Sequence, residues 1–221
     1  MRSGPRARRS TEAGLPRAVL EGRPEVASAD DFTVRGGAAD AAIHRKFVQC
    51  EQMASTLKIP LIRMIDGTGG GGSVRTLEDI GATYVPATPG WGEIVKNLET
   101  VPVVALALGP TAGLGAARVV ASHYSIMVKG LSQVFAAGPA VVEAIGEASD
   151  KESLGGSAIH TRNGVVDEEV GSEAEAFAQA RRFLSYLPSH VGQHAPRTAN
   201  SDPTDRKEPG LISLVPREAK Q

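Results

Sequence analysis

Several features that define common protein classes are scarce in this sequence. Cysteine occurs once, at Cys50, which excludes an internal disulfide, and no Cys/His spacing indicates a zinc site. Aromatic residues make up 4% of the 221 residues and hydrophobic residues 41%, so one domain with an aliphatic core is expected. The formal net charge of −1 implies no general attraction to nucleic acid or to an anionic membrane. No apolar stretch approaches the roughly 18 residues that a membrane span requires.

Glycine, in contrast, is plentiful, and two glycine-rich turns each follow an apolar run typical of a buried strand. The first turn is Ile-Asp-Gly-Thr-Gly-Gly-Gly-Gly-Ser at 65–73, and the second is Gly-Pro-Thr-Ala-Gly-Leu-Gly-Ala at 109–116. Glycine lets a backbone approach a ligand closely and present its N–H groups. A strand, glycines and a helix start direct those N–H groups, with the helix dipole behind them, at negative charge. The two turns therefore predict a protein that handles anions, either phosphates or an oxyanion formed during a reaction.

The second turn has two interpretations that the residues alone leave open. In one, its glycines only permit close packing of a helix on a strand. In the other, the N–H groups of Gly113 and Leu114 are free at the start of the following helix and hold an enolate or thioester oxygen. Each such donor contributes roughly 3–4 kcal/mol in an oxyanion hole, and no side chain is required.

Side chains near the turns carry a weaker signal. Asp66 ends a strand, where aspartate favours forming a turn over acting as a ligand or base. His160 is interpreted as a structural or surface histidine rather than an acid or base. Trp91 is interpreted as a packing residue, and Arg35 as a solvated cation rather than a phosphate ligand. The four glycines at 69–72 are either a surface loop or a ligand cradle, and their place directly after a buried strand favours the cradle.

Predicted strands and helices alternate along the chain. The strands are expected at 25–34, 60–65, 101–108, 124–128 and 133–136, and the helices at 40–58, 74–80, 92–98, 114–122, 139–145 and 172–187. The last helix opens with the capping box Ser-Glu-Ala-Glu at 172–175. This alternation predicts the α/β class with a mainly parallel, buried sheet, whose ligands lie beyond the carboxyl ends of the strands. Neither turn has the dinucleotide-binding or phosphate-loop signature.

The two ends of the chain differ in composition from its middle. Residues 1–23 carry six arginines against two glutamates, which predicts a disordered tail, a mitochondrial targeting segment or a gene-model artefact. Residues 189–210 are polar and rich in proline, which is typical of a linker. The sequence therefore predicts one domain at 24–188, followed by a linker over 189–221 that leads toward a further segment.

Several motifs, taken in order, resemble the N-terminal half of the carboxyltransferase subunit of biotin-dependent acyl-CoA carboxylases, of the propionyl-CoA and methylcrotonyl-CoA type. The resemblance covers about residues 20–217, and each motif is weak alone but the ordered set is specific. The motifs are Asp-Phe-Thr-Val-Arg-Gly-Gly (31–37), the two glycine turns, Phe-Ala-Ala-Gly-Pro (135–139), Leu-Gly-Gly-Ser-Ala-Ile-His (154–160), Phe-Leu-Ser-Tyr-Leu-Pro (183–188), Asp-Pro-Thr-Asp-Arg (202–206) and Leu-Val-Pro-Arg (214–217).

The resemblance implies a crotonase-like fold, a spiral of ββα units, present here as a single N-type carboxyltransferase domain. It implies that an acyl-CoA loses its α-proton, that the enolate captures CO2 released from carboxybiotin, and that the biotin ureido nitrogen is the base. The family's N-domain oxyanion pair, Gly-Gly, falls on Gly113 and Leu114, where leucine keeps the N–H but adds a side chain. Substrate and CoA binding are implied for Gly69, Gly70, Gly71, Gly72, Ala112, Gly115 and Gly138.

The resemblance also implies partners and a compartment. Biotin would be carried on a partner, the biotin carboxylase or biotin carrier subunit, with no metal in this chain, no nucleic acid and no membrane. Family members form homo-oligomers and have a C-terminal half with the second oxyanion pair, which this sequence lacks. Localisation is expected in the mitochondrial matrix or otherwise the cytoplasm.

Two different functions are also compatible with the residues: a catalytically incomplete fragment or scaffold of a carboxylase complex, and a crotonase-type acyl-CoA hydratase, isomerase or decarboxylase.

Overall fold

The computed structural model describes residues 17–20, 22–33, 35–37, 41–67, 90–197 and 199–214. The strands in these ranges are β1 (Arg17–Leu20), β2 (Arg23–Ala29), β3 (Leu61–Ile65), β4 (Val103–Ala107), β5 (Pro110–Ala112), β6 (Tyr124–Val128), β7 (Gln133–Phe135) and β8 (Glu168–Val170). The helices are α1 (Ala41–Leu57), α2 (Trp91–Thr100), α3 (Leu114–Val120), α4 (Pro139–Ala144), α5 (Lys151–Gly155), α6 (Ser157–Arg162) and α7 (Glu173–Ser185), with 3-10 helices at Arg35–Gly37 and Pro209–Leu214.

The main sheet has six strands in the order β1-β2-β3-β4-β6-β8. The β1–β2 pair is antiparallel, and every other neighbouring pair in this sheet is parallel. The strands β5 and β7 form a separate parallel pair. The prediction of an α/β protein with a mainly parallel sheet is therefore confirmed, and the carboxyl ends of β2, β3 and β4 lie side by side at one edge.

The strand β4 is the centre of the core, and all five of its residues are buried. Its alternate residues face two helical layers, as side chains on successive strand positions must. Val104 and Leu106 belong to a cluster that includes Leu184 of α7. Ala105 and Ala107 belong to the opposite cluster, which includes Val119 of α3. The helix α3 is thus packed directly on the strand that leads into the second glycine turn.

The helix α1 and the capping box of α7 follow the sequence pattern. Cys50 and Ala54 of α1 are buried in a cluster with strand residues, as their helical spacing predicted. The Ser172 side chain accepts a hydrogen bond from the N–H of Glu175 at 3.2 Å. The Glu175 carboxylate accepts from the N–H of Gly171 at 2.8 Å, one residue before the N-cap position.

Two predicted boundaries are wrong for local reasons. The strand expected at 25–34 ends at Ala29, because the Asp31 side chain accepts hydrogen bonds from the N–H and hydroxyl of Thr33 and closes a turn. The segment expected as a tail at 1–23 contains β1 and the first residue of β2. Gly22, with φ of 84°, turns the chain between them, so this part of the arginine-rich start belongs to the sheet.

Other elements were not predicted because they are short. The strands β5 and β8 have three residues each, and α5 and α6 have five and six residues, too few to show a period. The described residues of 189–197 and 199–214 are mostly irregular apart from the 3-10 helix, and the role of 189–221 as a linker stays a prediction. The helix expected at 74–80 lies outside the described residues, as do Gly69, Gly70, Gly71 and Gly72.

Candidate active site

The loops that follow β2 and β3 meet in direct backbone contact at the carboxyl edge of the sheet. A Cβ added to Gly67 would lie 2.7 Å from the carbonyl oxygen of Gly36, and one added to Gly37 would overlap the backbone of Asp66. Gly37 and Gly67 also have φ angles of 67° and 150°. Glycine is therefore required at both positions by conformation and by space. This contact is the structural role of the Gly-Gly pair that closes the first motif.

The second glycine turn lies between β4 and α3, as the sequence predicted, and it also contains the short strand β5. Gly113 is the N-cap residue of α3 and has φ of 57° and ψ of −119°, a conformation that L-residues avoid. The N–H of Ala112 donates to the carbonyl of Gly67 at 3.3 Å. The turn is thereby joined to the loop after β3, so both predicted anion sites belong to one region.

The N–H groups at this turn differ from the sequence prediction at one position. The N–H of Gly113, expected to be free, donates to the carbonyl of Phe135 at 3.1 Å, because the β5–β7 ladder continues past Ala112. The first bond that closes a turn of α3 runs from the N–H of Ala117 to the carbonyl of Gly113 at 3.0 Å. No described residue accepts from the N–H of Leu114, Gly115 or Ala116. The available donors therefore begin one residue later than expected.

These N–H groups form the part of the site that can act on a ligand. The first N–H groups of a helix have no intrahelical acceptor, and the helix dipole adds positive potential there. Leu114 is half-buried and Gly115 is buried, so a hydrogen bond from them to a ligand oxygen would be shielded from water. Leucine at position 114, where the family has glycine, still supplies a backbone N–H donor. The arrangement suits an oxygen that carries or develops negative charge.

The carboxyl group of Asp66 lies against the same turn. A Cβ at Gly109 would overlap this carboxyl group, so a side chain there would have to displace the Asp66 carboxyl. The Oδ1 atom of Asp66 is buried and has no hydrogen-bond partner among the described residues. Burial raises the pKa of Asp66, and the nearby carboxylates of Asp30, Glu173 and Asp31 raise it further.

Arg118 fixes α3 to the loop after β2. Its Nη1 atom donates to both carboxylate oxygens of Asp30 at 3.1 Å. Its guanidinium carbon also lies 4.5 Å from the ring centroid of Phe47 in α1, which is a cation–π distance. Both side chains of the ion pair are largely buried, so water screens their attraction little. Arg118 is a functional neighbour that the sequence motifs did not single out.

The remaining predicted residues lie in this turn or close to it. Gly115 is buried in α3, and Gly138 precedes α4 with ordinary extended φ and ψ angles. A Cβ at Gly138 would touch the ring of Phe135, whose carbonyl accepts from Gly113. Trp91 begins α2 and is half-buried, and the side chain of Arg35 lies outside the described residues. Substrate contacts of these residues, and of the glycines at 69–72, stay predictions.

His160 is hydrogen-bonded within the protein. Its Nε2 atom lies 2.6 Å from the carbonyl oxygen of Val134, so Nε2 carries the hydrogen, since a carbonyl can only accept. The Nδ1 atom is buried and has no hydrogen-bond partner among the described residues. His160 thus supports β7 next to the carbonyl of Phe135, and its Nε2 is engaged rather than available as a base.

The described part of the chain offers no membrane helix and no metal cluster. None of its helices is both long enough and apolar enough to cross a membrane. Within the same residues, no group of three or more His, Cys, Asp or Glu side chains is arranged to hold a metal ion.

Comparison with known proteins identifies the class to which this fold and turn belong. The model of the carboxyl transferase domain family matches residues 18–221, and the chain belongs to this family. Methylmalonyl-CoA decarboxylase subunit alpha of Veillonella parvula is 31% identical over 204 residues, which cover 90% of this chain and 38% of the relative. The mitochondrial propionyl-CoA carboxylase beta chain of Sus scrofa is 31% identical over 209 residues, or 92% of this chain and 37% of the relative.

A solved structure supports the same assignment. The hexameric transcarboxylase 12S, with methylmalonyl-coenzyme A and methylmalonic acid bound, matches with a TM-score of 0.72 and 26% identity, over 93% of this chain and 39% of that chain. The predicted family and its crotonase-like α/β fold are confirmed. The chain spans less than two fifths of the length of these relatives.

Proposed function

We propose that this chain is the acyl-CoA-binding part of the carboxyltransferase component of a biotin-dependent acyl-CoA carboxylase. The observation that carries the proposal is the set of N–H groups at Leu114, Gly115 and Ala116, for which no described residue is an acceptor. Family membership supplies the chemical context for these donors. The propionyl-CoA carboxylase beta chains among the relatives favour a short acyl-CoA as the substrate.

These donors have a defined role in the proposed reaction. An acyl-CoA that loses its α-proton places negative charge on the thioester oxygen as the enolate forms. Hydrogen bonds from Leu114 and Gly115 to that oxygen strengthen as the charge develops, so they favour the transition state over the substrate. Gly113, in its left-handed conformation, aims the peptide that carries the N–H of Leu114.

Biotin needs a second set of N–H donors, separate from those at the start of α3. The thioester and the ureido ring of biotin each present one oxygen, and one group of adjacent N–H donors holds only one oxygen at a time. The described residues supply one such group, which we assign to the thioester. When bound, biotin supplies the carboxyl group. We propose that it arrives on a biotin carrier partner and that its donors come from another part of the assembled enzyme.

The reverse reaction is the second candidate function. Methylmalonyl-CoA decarboxylase subunit alpha is as similar to this chain as the carboxylase relatives are. Loss of CO2 from a malonyl-type thioester forms the same enolate, so the N–H groups would hold the same oxygen. A scaffold without turnover would transfer no carboxyl group in either direction, and neither would a crotonase-type hydratase.

Assembly and location are proposed from the relatives. The transcarboxylase 12S neighbour is a hexamer, and we propose that this chain also acts in a homo-oligomer with a biotin-carrying partner. The relatives include mitochondrial chains of mammals as well as bacterial chains. We propose the mitochondrial matrix for a eukaryotic source and the cytoplasm for a bacterial one.

Reconstitution tests the proposal. The chain is combined with the C-terminal half of a propionyl-CoA carboxylase beta chain, a biotinylated carrier subunit, a biotin carboxylase subunit and MgATP, so that carboxybiotin forms from bicarbonate. Transfer of the label from bicarbonate to propionyl-CoA or 3-methylcrotonyl-CoA is then measured. Release of CO2 from methylmalonyl-CoA is measured in parallel. We expect carboxyl transfer that requires this chain. If a folded, assembled complex transfers no carboxyl group in either direction, the proposed function is wrong.

A further inference from the structure

A charged residue lies in the middle of the buried sheet. Arg63 of β3 is fully buried, and its partner Glu51 of α1 is 1% exposed. The Nε and Nη2 atoms of Arg63 donate to the two carboxylate oxygens of Glu51 at 2.7 and 3.0 Å. Asn97 of α2 donates to the same carboxylate at 2.8 Å and to the backbone carbonyl of Glu51 at 3.0 Å. The cluster therefore joins β3, α1 and α2 through bidentate, charge-assisted hydrogen bonds.

The third nitrogen of the same guanidinium reaches the end of α3. Its Nη1 atom donates to the carbonyl oxygen of Ala121, the C-cap residue, at 2.5 Å and to that of Arg118 at 3.3 Å. The last carbonyls of a helix have no intrahelical donor and carry the negative end of the helix dipole. The buried guanidinium at this position donates to these carbonyls and also offsets the negative end of the helix dipole. Since α3 has seven residues, this contact lies about 10 Å from the N–H groups at the other end of the helix.

We propose that Arg63 is a positioning residue for the N–H donors of Leu114 and Gly115. The inference rests on the proposed function, because it gives these donors the thioester oxygen as their ligand. Arg63 holds α3 from the C-terminal end of the helix, and the Glu51 carboxylate in turn holds Arg63. A short helix moves as a unit, so a shift at Ala121 is passed to Leu114. Hydrogen bonds weaken steeply with distance and angle, so a small shift there reduces the hold on the oxygen.

A purely structural role for the cluster would stabilise the core without affecting the site. A readout that depends on the thioester oxygen separates the two roles. Propionyl-CoA has this oxygen, and S-propyl-CoA, a thioether, lacks it but keeps the CoA and the alkyl chain. The ratio of the two dissociation constants, measured by calorimetry, reports on the N–H donors alone. For the wild-type chain we expect propionyl-CoA to bind about two- to tenfold more tightly.

The test variant is Arg63→Lys, which keeps one charge but cannot reach Glu51 and both α3 carbonyls at once. We expect its preference for the thioester to disappear while its affinity for S-propyl-CoA stays unchanged. Asn97→Ala is the matched control, because it weakens the same buried cluster without contacting α3. It should lower the melting temperature and retain the wild-type ratio.

A second variant covers the case in which Arg63→Lys does not fold. The double variant Arg63→Met, Glu51→Leu replaces the ion pair with apolar side chains of similar size, an exchange that buried pairs often tolerate. We expect it to fold and to show no thioester preference. The inference is wrong if either folded variant keeps the wild-type ratio. If the wild-type chain itself binds neither compound or does not prefer the thioester, the proposed role of the N–H groups fails instead, and the positioning role fails with it.

Discussion

Replacement of Gly113 by alanine tests how the backbone of the turn creates its donors. Gly113 has φ of 57° and ψ of −119°, and such a conformation costs an L-residue roughly 1–3 kcal/mol. For a chain of this size, each kcal/mol lowers the melting temperature by about 2–4 °C. We therefore expect Gly113→Ala to melt several degrees lower than the wild type.

The same substitution should alter ligand binding, because the strain is relieved by rotation of the peptide between residues 113 and 114. That peptide carries the N–H of Leu114, which then points away from the thioester oxygen. Loss of one such hydrogen bond is worth about 0.5–1.5 kcal/mol, or a two- to tenfold loss of affinity for propionyl-CoA. Affinity for S-propyl-CoA should not change, because this compound lacks the thioester oxygen and so has no such hydrogen bond to lose.

Gly130 provides the matched control. It lies in the turn between β6 and β7, has φ of 69°, and a Cβ there would meet no atom within 4 Å. Alanine at this position should cost about 1–2 kcal/mol of stability and leave the thioester preference intact. Circular dichroism measures the melting temperatures and calorimetry the affinities. The reasoning is refuted if Gly113→Ala loses stability as expected but keeps the wild-type ratio of the affinities for propionyl-CoA and S-propyl-CoA.

Three further substitutions test different parts of the structure. Because the pKa of Asp66 is raised from its ordinary value of 3.8, this residue favours the folded state below that value and ceases to do so as the pH rises through the raised pKa. Asp66→Asn should therefore stabilise the protein at pH 7 relative to the wild type and have little effect near pH 3; an equal effect at both pH values, in melting curves, would contradict the raised pKa. Ser172→Ala removes the hydrogen bond to the N–H of Glu175 and should cost about 0.5–2 kcal/mol in urea denaturation, whereas an unchanged midpoint would mean that the cap is not made in solution. Leu106→Ala in the fully buried central strand should cost about 2–5 kcal/mol, and a cost below about 1 kcal/mol would show that β4 is not packed on both faces.

The features that could be predicted from the sequence are those encoded locally. The apolar run at 101–108, the glycine turn after it and the capping box at 172–175 each have a signal within a few residues, and each lies where it was expected. The order of the motifs also identified the family, because this order can be observed in the sequence without knowing which segments are in contact in the fold.

The features that could not be predicted depend on pairing between distant segments. The N–H of Gly113 is occupied because β7 pairs with β5, and no local pattern shows that Phe135 lies opposite. The role of Arg63 depends on Glu51 and on the end of α3, 12 and 58 residues away. The signal that was available is the charge itself, since an arginine within a strand buried on both faces requires a partner.

The central claim is that the start of α3 holds the oxygen of an acyl-CoA thioester. The most direct measurement is a calorimetric titration of the purified 23.0 kDa wild-type chain with propionyl-CoA, S-propyl-CoA and free CoA. We expect saturable binding that is tightest for propionyl-CoA, with S-propyl-CoA about two- to tenfold weaker. Equal affinity for the thioester and the thioether, or no binding by a chain that circular dichroism shows to be folded, would contradict this claim.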